Sequence, residues 1–202
     1  MNSRIKSTLH FTAGVFYGDQ LLMNNYRVSI SATTNTLDNV VNNIALERIK
    51  YFIHYELTNT VFINSTDVGQ CRLLLDAGVK ITTLPDEPVD QIINIMLYSK
   101  LDAIVENQLI INDIELSSDL GDNIMYFHGE GESLGPLSIK GWWMESNLTH
   151  CELGFLNNDK VVDMYQARAW RELDLAWPDE TPVVPATDTR VVFADFGKDE
   201  TK

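Results

Sequence analysis

Residues 26–57 read YRVSISATTNTLDNVVNNIALERIKYFIHYEL, and the hydrophobic period changes inside this stretch. Tyr26, Val28, Ile30 and Ala32 alternate with Arg27, Ser29 and Ser31, the period of two that a strand shows when one face is buried. After Asn35 the apolar residues Val41, Ile44, Ala45, Ile49, Phe52, Ile53 and Leu57 recur at intervals of mostly three and four, which puts them on one side of a helix over 37–57. Thr36 or Asp38 supplies the side-chain oxygen that satisfies the first free amides of that helix. Glu47, Arg48, Lys50 and Glu56 fall largely on its other side.

Working outward, Arg4 to Tyr17 alternates less perfectly and Gly18-Asp19 interrupts it, so the first thirty residues read as a hairpin. Val61-Phe62-Ile63 reads as a short strand, 69–77 as a short helix closed by Gly78, and 79–83 as β. Pro85-Asp86-Glu87-Pro88 is a helix start, because Asp86 can cap, Pro88 has no amide to satisfy and acidic residues suit the positive end of the dipole. Val89, Ile92, Ile93, Met96, Leu97, Leu101, Ile104 and Val105 give that helix, over 87–106, its buried face. Three β segments follow at 108–116, 123–128 and 138–143, then a hairpin of 148–156 and 160–165 about Asn157-Asn158-Asp159. The expected fold is α+β: an antiparallel sheet of four or more strands packed by two long helices. Residues 1–165 form the expected core domain. Residues 166–202, with Pro178, Pro182 and Pro185, form an extended C-terminal arm, and Val191-Val192-Phe193 within it reads as a strand.

The 202 residues carry a net charge of −14, unevenly placed: +1 over residues 1–60, −12 over 61–165 and −3 over the rest. An acidic middle repels phosphate backbones and anionic lipid surfaces, so direct nucleic-acid and membrane binding are disfavoured. No apolar run approaches the roughly 20 residues that cross a bilayer. Arg4 and Lys6 open the chain without an apolar leader core, and two cysteines, Cys71 and Cys151, suit a reducing compartment. The expected location is therefore the cytoplasm or a virus particle.

The sequence offers few chemical constellations. His128, Glu130 and Glu132 would share one side of an extended strand, and an imidazole with two carboxylates suits a divalent ion; His150 and Glu152 repeat the spacing. A glycine-bearing acidic loop with a histidine at a strand end explains the same residues. No other cofactor is expected. Cys71 on the apolar side of a short helix is a small hydrophobe, and Cys151 points away from its neighbour His150 on a strand. Asn43, Glu47 and Arg48 make either a polar site or a solvated helix face. Trp142 and Trp143, adjacent on a strand, would point to opposite faces, so one suits an interface. With Trp170, Trp177 and Phe193 of the arm they are the expected interface anchors, on this chain or a neighbour.

The order hairpin, helix, short insert, helix, two strands resembles the tunnelling fold of the 6-pyruvoyltetrahydropterin synthases over residues 4–128. Phe11-Thr12-Ala13 and Asn25-Tyr26-Arg27-Val28-Ser29-Ile30 resemble that family's first two strands. The resemblance implies an oligomeric barrel of antiparallel sheets. Its zinc does not transfer: where the family has a His-x-His, this chain reads Leu22-Met23-Asn24-Asn25, with only His10 nearby. A ferredoxin-like or other α+β sandwich stays open. The leading expectation is a non-catalytic binding or assembly protein that self-associates or binds a protein partner. The alternatives are an enzyme, with a divalent metal or a tunnelling-fold interface pocket, and an acidic inhibitor presenting Asp119, Asp122, Glu130 and Glu132 to a nucleic-acid-binding protein.

Overall fold

The computed structural model describes residues 3–146, 148 and 169–178. Its centre is a long hairpin, β1 (Arg4–Tyr17) and β2 (Gln20–Thr34), whose register sets Phe11 opposite Tyr26 and Val15 opposite Leu22. Alternation then sorts the side chains. Phe11, Ala13 and Val15 of β1 and Tyr26, Val28, Ile30 and Ala32 of β2 face the main core, and Arg4, Lys6, Thr8, His10 and Arg27 face away.

The chain continues through α1 (Asn39–Tyr51), β3 (Val61–Asn64), α2 (Val68–Asp76), β4 (Ile81–Leu84), α3 (Asp90–Val105), β5 (Leu109–Ser118) and β6 (Tyr126–Gly129). The strands make one sheet in the order β4-β3-β1-β2-β5-β6. The α+β class holds, but the sheet is mixed. β3 pairs parallel with β1 and with β4, because α2 carries the chain across between them, and only the remaining pairings are antiparallel. Short fully buried strands such as Val61–Asn64 show no alternation to give their direction away.

The two expected helices are shorter than their apolar runs. Asp38 caps α1, its carboxylate accepting from the Val40 and Val41 amides, but after Tyr51 the backbone widens into a π-helix from Phe52 to Leu57. Before α3, Asp86 turns its carboxylate to the Glu87 amide instead of capping, and α3 begins at Asp90 with no side-chain cap. It ends where Glu106 takes a left-handed conformation. α1 and α3 cover one face of the sheet. α2 lies on the other, where Cys71 and Leu74 pack on Phe16, Val61, Ile63 and Ile81.

The expected strand at 138–143 is absent. Residues Gly135–Ser138 and Trp142–Met144 form 3-10 turns, and both Trp142 and Trp143 point inward, their rings 6.1 Å apart edge to face. A 3-10 turn removes the strand alternation on which an outward tryptophan depended. Of the C-terminal arm, residues 169–178 are described: Trp170 and Trp177 close on Arg48, whose guanidinium lies 4.7 Å from one ring and 3.7 Å from the other. Arg48 is 1% exposed and donates to the Leu175 and Ile104 carbonyls, so it belongs to the core and not to a solvated helix face. The hairpin expected at 148–165, with Cys151, His150 and Glu152, and the strand at 191–193, with Phe193, lie outside the described residues.

Candidate functional site

β1, β3, β4 and β5 all run the same way, so their carboxyl ends, at Tyr17, Asn64, Leu84 and Ser118, meet at one end of the sheet. The amino end of α3 arrives at the same place. A crevice outside strand carboxyl ends is bounded by loops and not by a continuous ladder, which leaves room for a ligand. A cavity of about 280 Å³ opens there. Val15, Tyr17, Leu22 and Asn24 come from the hairpin, Pro88, Val89 and Asp90 from the entry to α3, and Leu120, Gly121 and Tyr126 from the β5–β6 connection.

The polar groups of this cavity are held in place. Ser118 donates to a carboxylate oxygen of Asp90 at 2.6 Å and accepts from the Gly121 amide at 3.1 Å. Asn24 accepts from the Leu120 amide at 3.1 Å, tying the loop to the hairpin. A Cβ at Gly121 would run into the Asp90 carboxylate and come within 3.1 Å of the Ser118 hydroxyl, so any larger residue there would displace that pair. Burial raises the Asp90 carboxyl above its ordinary range, and the Ser118 hydrogen bond opposes the shift. The Tyr26 hydroxyl lies buried close by and is raised first by burial, with Asn24 opposing and Asp90 adding to it. Most of the walls are apolar. Such a site can take an apolar body and present one carboxyl, of altered proton affinity, to a donor on it.

None of this was prominent in the sequence. Asp90 stood out only as an acidic residue at a helix start, and its partners lie 28 to 66 positions away. A Ser-Ser-Asp-Leu-Gly run directly after an alternating strand was the one available signal.

The expected site residues fall elsewhere. β6 ends at Gly129 and Gly131 turns left-handed, so Glu130 and Glu132 lie in the turn beyond the strand and the expected common face with His128 does not form. His128 is buried against Tyr98, and its Nδ1 lies 3.3 Å from a Glu132 carboxylate oxygen. Burial lowers the imidazole, and Glu132 opposes the shift. Among the described residues no group of three or more His, Cys, Asp or Glu side chains is placed to hold a metal ion. Cys71 is fully buried, and burial raises its thiol. The tryptophans are spent on the chain itself. Trp142 donates to the Thr83 carbonyl, Trp143 to Leu137, Trp170 to Ser146 and Trp177 to the Glu106 carboxylate.

No family model matches the sequence, and no curated protein is similar to it. Solved structures are. An uncharacterized protein from Wolinella succinogenes is similar over 64% of this chain and 99% of its own, at 13% identity and a TM-score of 0.48. The 6-pyruvoyltetrahydropterin synthase of Plasmodium vivax is similar over 63% and 97%, at 11% identity and a TM-score of 0.43, and a catalytic-residue mutant of it at 12% and 0.43. The expectation of a non-catalytic binding or assembly protein is corrected: the described anchors that motivated it, Trp142, Trp143, Trp170 and Trp177, are buried in the chain's own core. These likenesses are of fold, and of nothing finer.

Proposed function

We propose that this protein binds and transforms a small molecule at the cavity around Asp90, with Asp90 as its anchor and acid–base group. The observation that carries the reading is a lone carboxyl, raised by burial, set in an apolar cavity and fixed by Ser118 where the loops at Gly121 and Pro88 converge. A flat ring with N–H donors on one edge suits it, the ring against Leu22, Val89 and Leu120 and the donors on Asp90. Pterins and purines without phosphate are the first compounds to try, in keeping with the fold's synthase neighbours.

The open strand edges suit a second copy of the chain. The outer edge of β1 from Arg4 to Phe11 pairs with no described strand, and neither does the outer edge of β6. β6 runs opposite to β1, so the β6 edge of one copy and the β1 edge of the next can join as an antiparallel pair. Phe127 of β6 is 63% exposed, and Leu120, Ile124 and Met125 before it are exposed too. Arg4 and His10 on β1 would then face the turn that carries Glu130 and Glu132 beyond β6, while Lys6 stays paired with Glu115 of its own chain at 2.8 Å. Joined this way, the neighbour stands beside the Tyr126 wall of the cavity.

Thermal melts with and without the ring compounds test the ligand reading. We expect at least one to raise the midpoint of the wild type by about 2 °C or more and to leave Asp90→Asn unmoved. A panel that shifts neither protein, or both equally, removes it.

A further inference from the structure

Three connections frame the cavity: the β1–β2 turn at Gly18-Asp19, residues 85–89 before α3, and residues 119–125 between β5 and β6. They carry Asp19, Asp86, Glu87, Asp119 and Asp122, and no lysine, arginine or histidine. Of the ten residues that line the cavity, Asp90 alone is charged. Among the described residues none of these six carboxylates has a basic side chain in salt-bridge range. Their neighbours are amides and a hydroxyl: Asn64 donates to Glu87, Asn25 to Asp119 and Ser118 to Asp90. Hydrogen bonds from neutral donors orient a carboxylate without cancelling its charge.

A low-dielectric cleft concentrates the field of charges at its mouth, so cations gather there and anions are turned away. Building on the small-ligand reading above, we propose that the cavity is selective for a compact organic cation: an apolar aryl or alkyl body carrying an amidinium or ammonium group that pairs with Asp90. Ser118 occupies one carboxylate oxygen and leaves the other to the ligand, and an amidinium delivers two N–H donors in the plane of a carboxylate. Tyr17, Leu22, Val89 and Leu120 provide the apolar wall for the body. A phosphorylated or carboxylated substrate would approach loops that carry five acidic residues and would find no cation inside.

Benzamidine and benzamide have nearly the same shape and differ in charge, and phenyl phosphate adds the opposite sign. Titrating each into the full chain by calorimetry separates the effects. We expect benzamidine to bind at least tenfold more tightly than benzamide and phenyl phosphate not to bind. The preference should shrink as salt rises from 50 to 500 mM. It should fall below about threefold in Asp90→Asn. Leu22→Trp, which fills the rim and leaves every carboxylate in place, should abolish binding of both neutral and charged probes. Equal binding of benzamidine and benzamide overturns charge selection and leaves the small-ligand reading intact. A benzamidine preference that survives both substitutions places the cation elsewhere on the acidic surface and overturns it as well. If neither probe binds, and the pterins and purines also fail, both readings fall.

Discussion

Asp90, the anchor proposed for the cavity, costs stability at neutral pH. Burial raises its carboxyl, so the folded chain holds that proton more tightly than the unfolded chain does. The group therefore favours folding at low pH, and its contribution is lost as pH rises through the raised value. Asp90→Asn should raise the melting midpoint at pH 7 by about 1–3 °C, with the gain vanishing near pH 4; differential scanning fluorimetry over that range decides it. Lys100 shows the opposite sign. It is buried, donates to the Trp142 and Glu145 carbonyls, and is pushed down to about 7, chiefly by burial. The folded state releases this proton more readily than the unfolded state, so stability should climb above pH 7 until the unfolded lysine titrates. Between pH 7 and 8.5 denaturant melts of the wild type should gain about 1–2 kcal/mol on those of Lys100→Met; a constant difference would mean that Lys100 does not titrate there. Arg48 is structural. Between two indoles and donating to two carbonyls, it should cost about 2–4 kcal/mol on substitution by alanine, and lysine should recover little, because an ammonium cannot stack on two rings as a guanidinium does. Urea melts followed by tryptophan fluorescence measure both variants.

At the scale of elements, what could be read from the sequence was periodicity. Tyr26 to Ala32 and the run from Val41 to Leu57 each repeat often enough to identify their element, and the Asp38 cap follows from a short acceptor in front of an apolar face. Asp38→Ala should destabilise by about 1 kcal/mol in the same melts; no loss would mean that the two amides find other acceptors. What was hidden depends on pairing. Val61–Asn64 and Ile81–Leu84 are buried on both faces, so nothing in them distinguishes a parallel partner from an antiparallel one. Gly141-Trp142-Trp143 looks like a strand because tryptophan favours strands, but tertiary packing decided otherwise: Gly141 lies against the Trp143 ring, and a Cβ there would fall 2.7 Å from it. The candidate metal site failed for a local reason, since period two ends where β6 ends, at Gly129. The cavity was the least visible feature. Its walls come from the hairpin, the α3 entry and the β5–β6 loop, and only the sheet order brings these together.

The whole molecule combines a mixed six-stranded sheet, helices on both faces, an acidic cavity at one end and, among the described residues, open strand edges at β1, β4 and β6. No described helix is long and apolar enough to cross a membrane. If the β1 and β6 edges join copies, light scattering on a sizing column should give a multiple of 22.9 kDa, and Phe127→Glu should lower it; a wild-type monomer at high concentration would remove the second copy from the account. The claim on which the rest depends is that the cavity around Asp90 is where a ligand sits. Methyl-labelled NMR of the intact chain with added benzamidine tests it most directly, because Leu22, Val89 and Leu120 are separate reporters on three walls of the cavity. The account predicts saturable shifts at these three methyl groups together, lost in Asp90→Asn, with the methyls of Leu74 and Val79 beside α2 unmoved. Shifts at the α2 methyls without the cavity methyls, or none at any of them with benzamidine, the pterins or the purines, would contradict it.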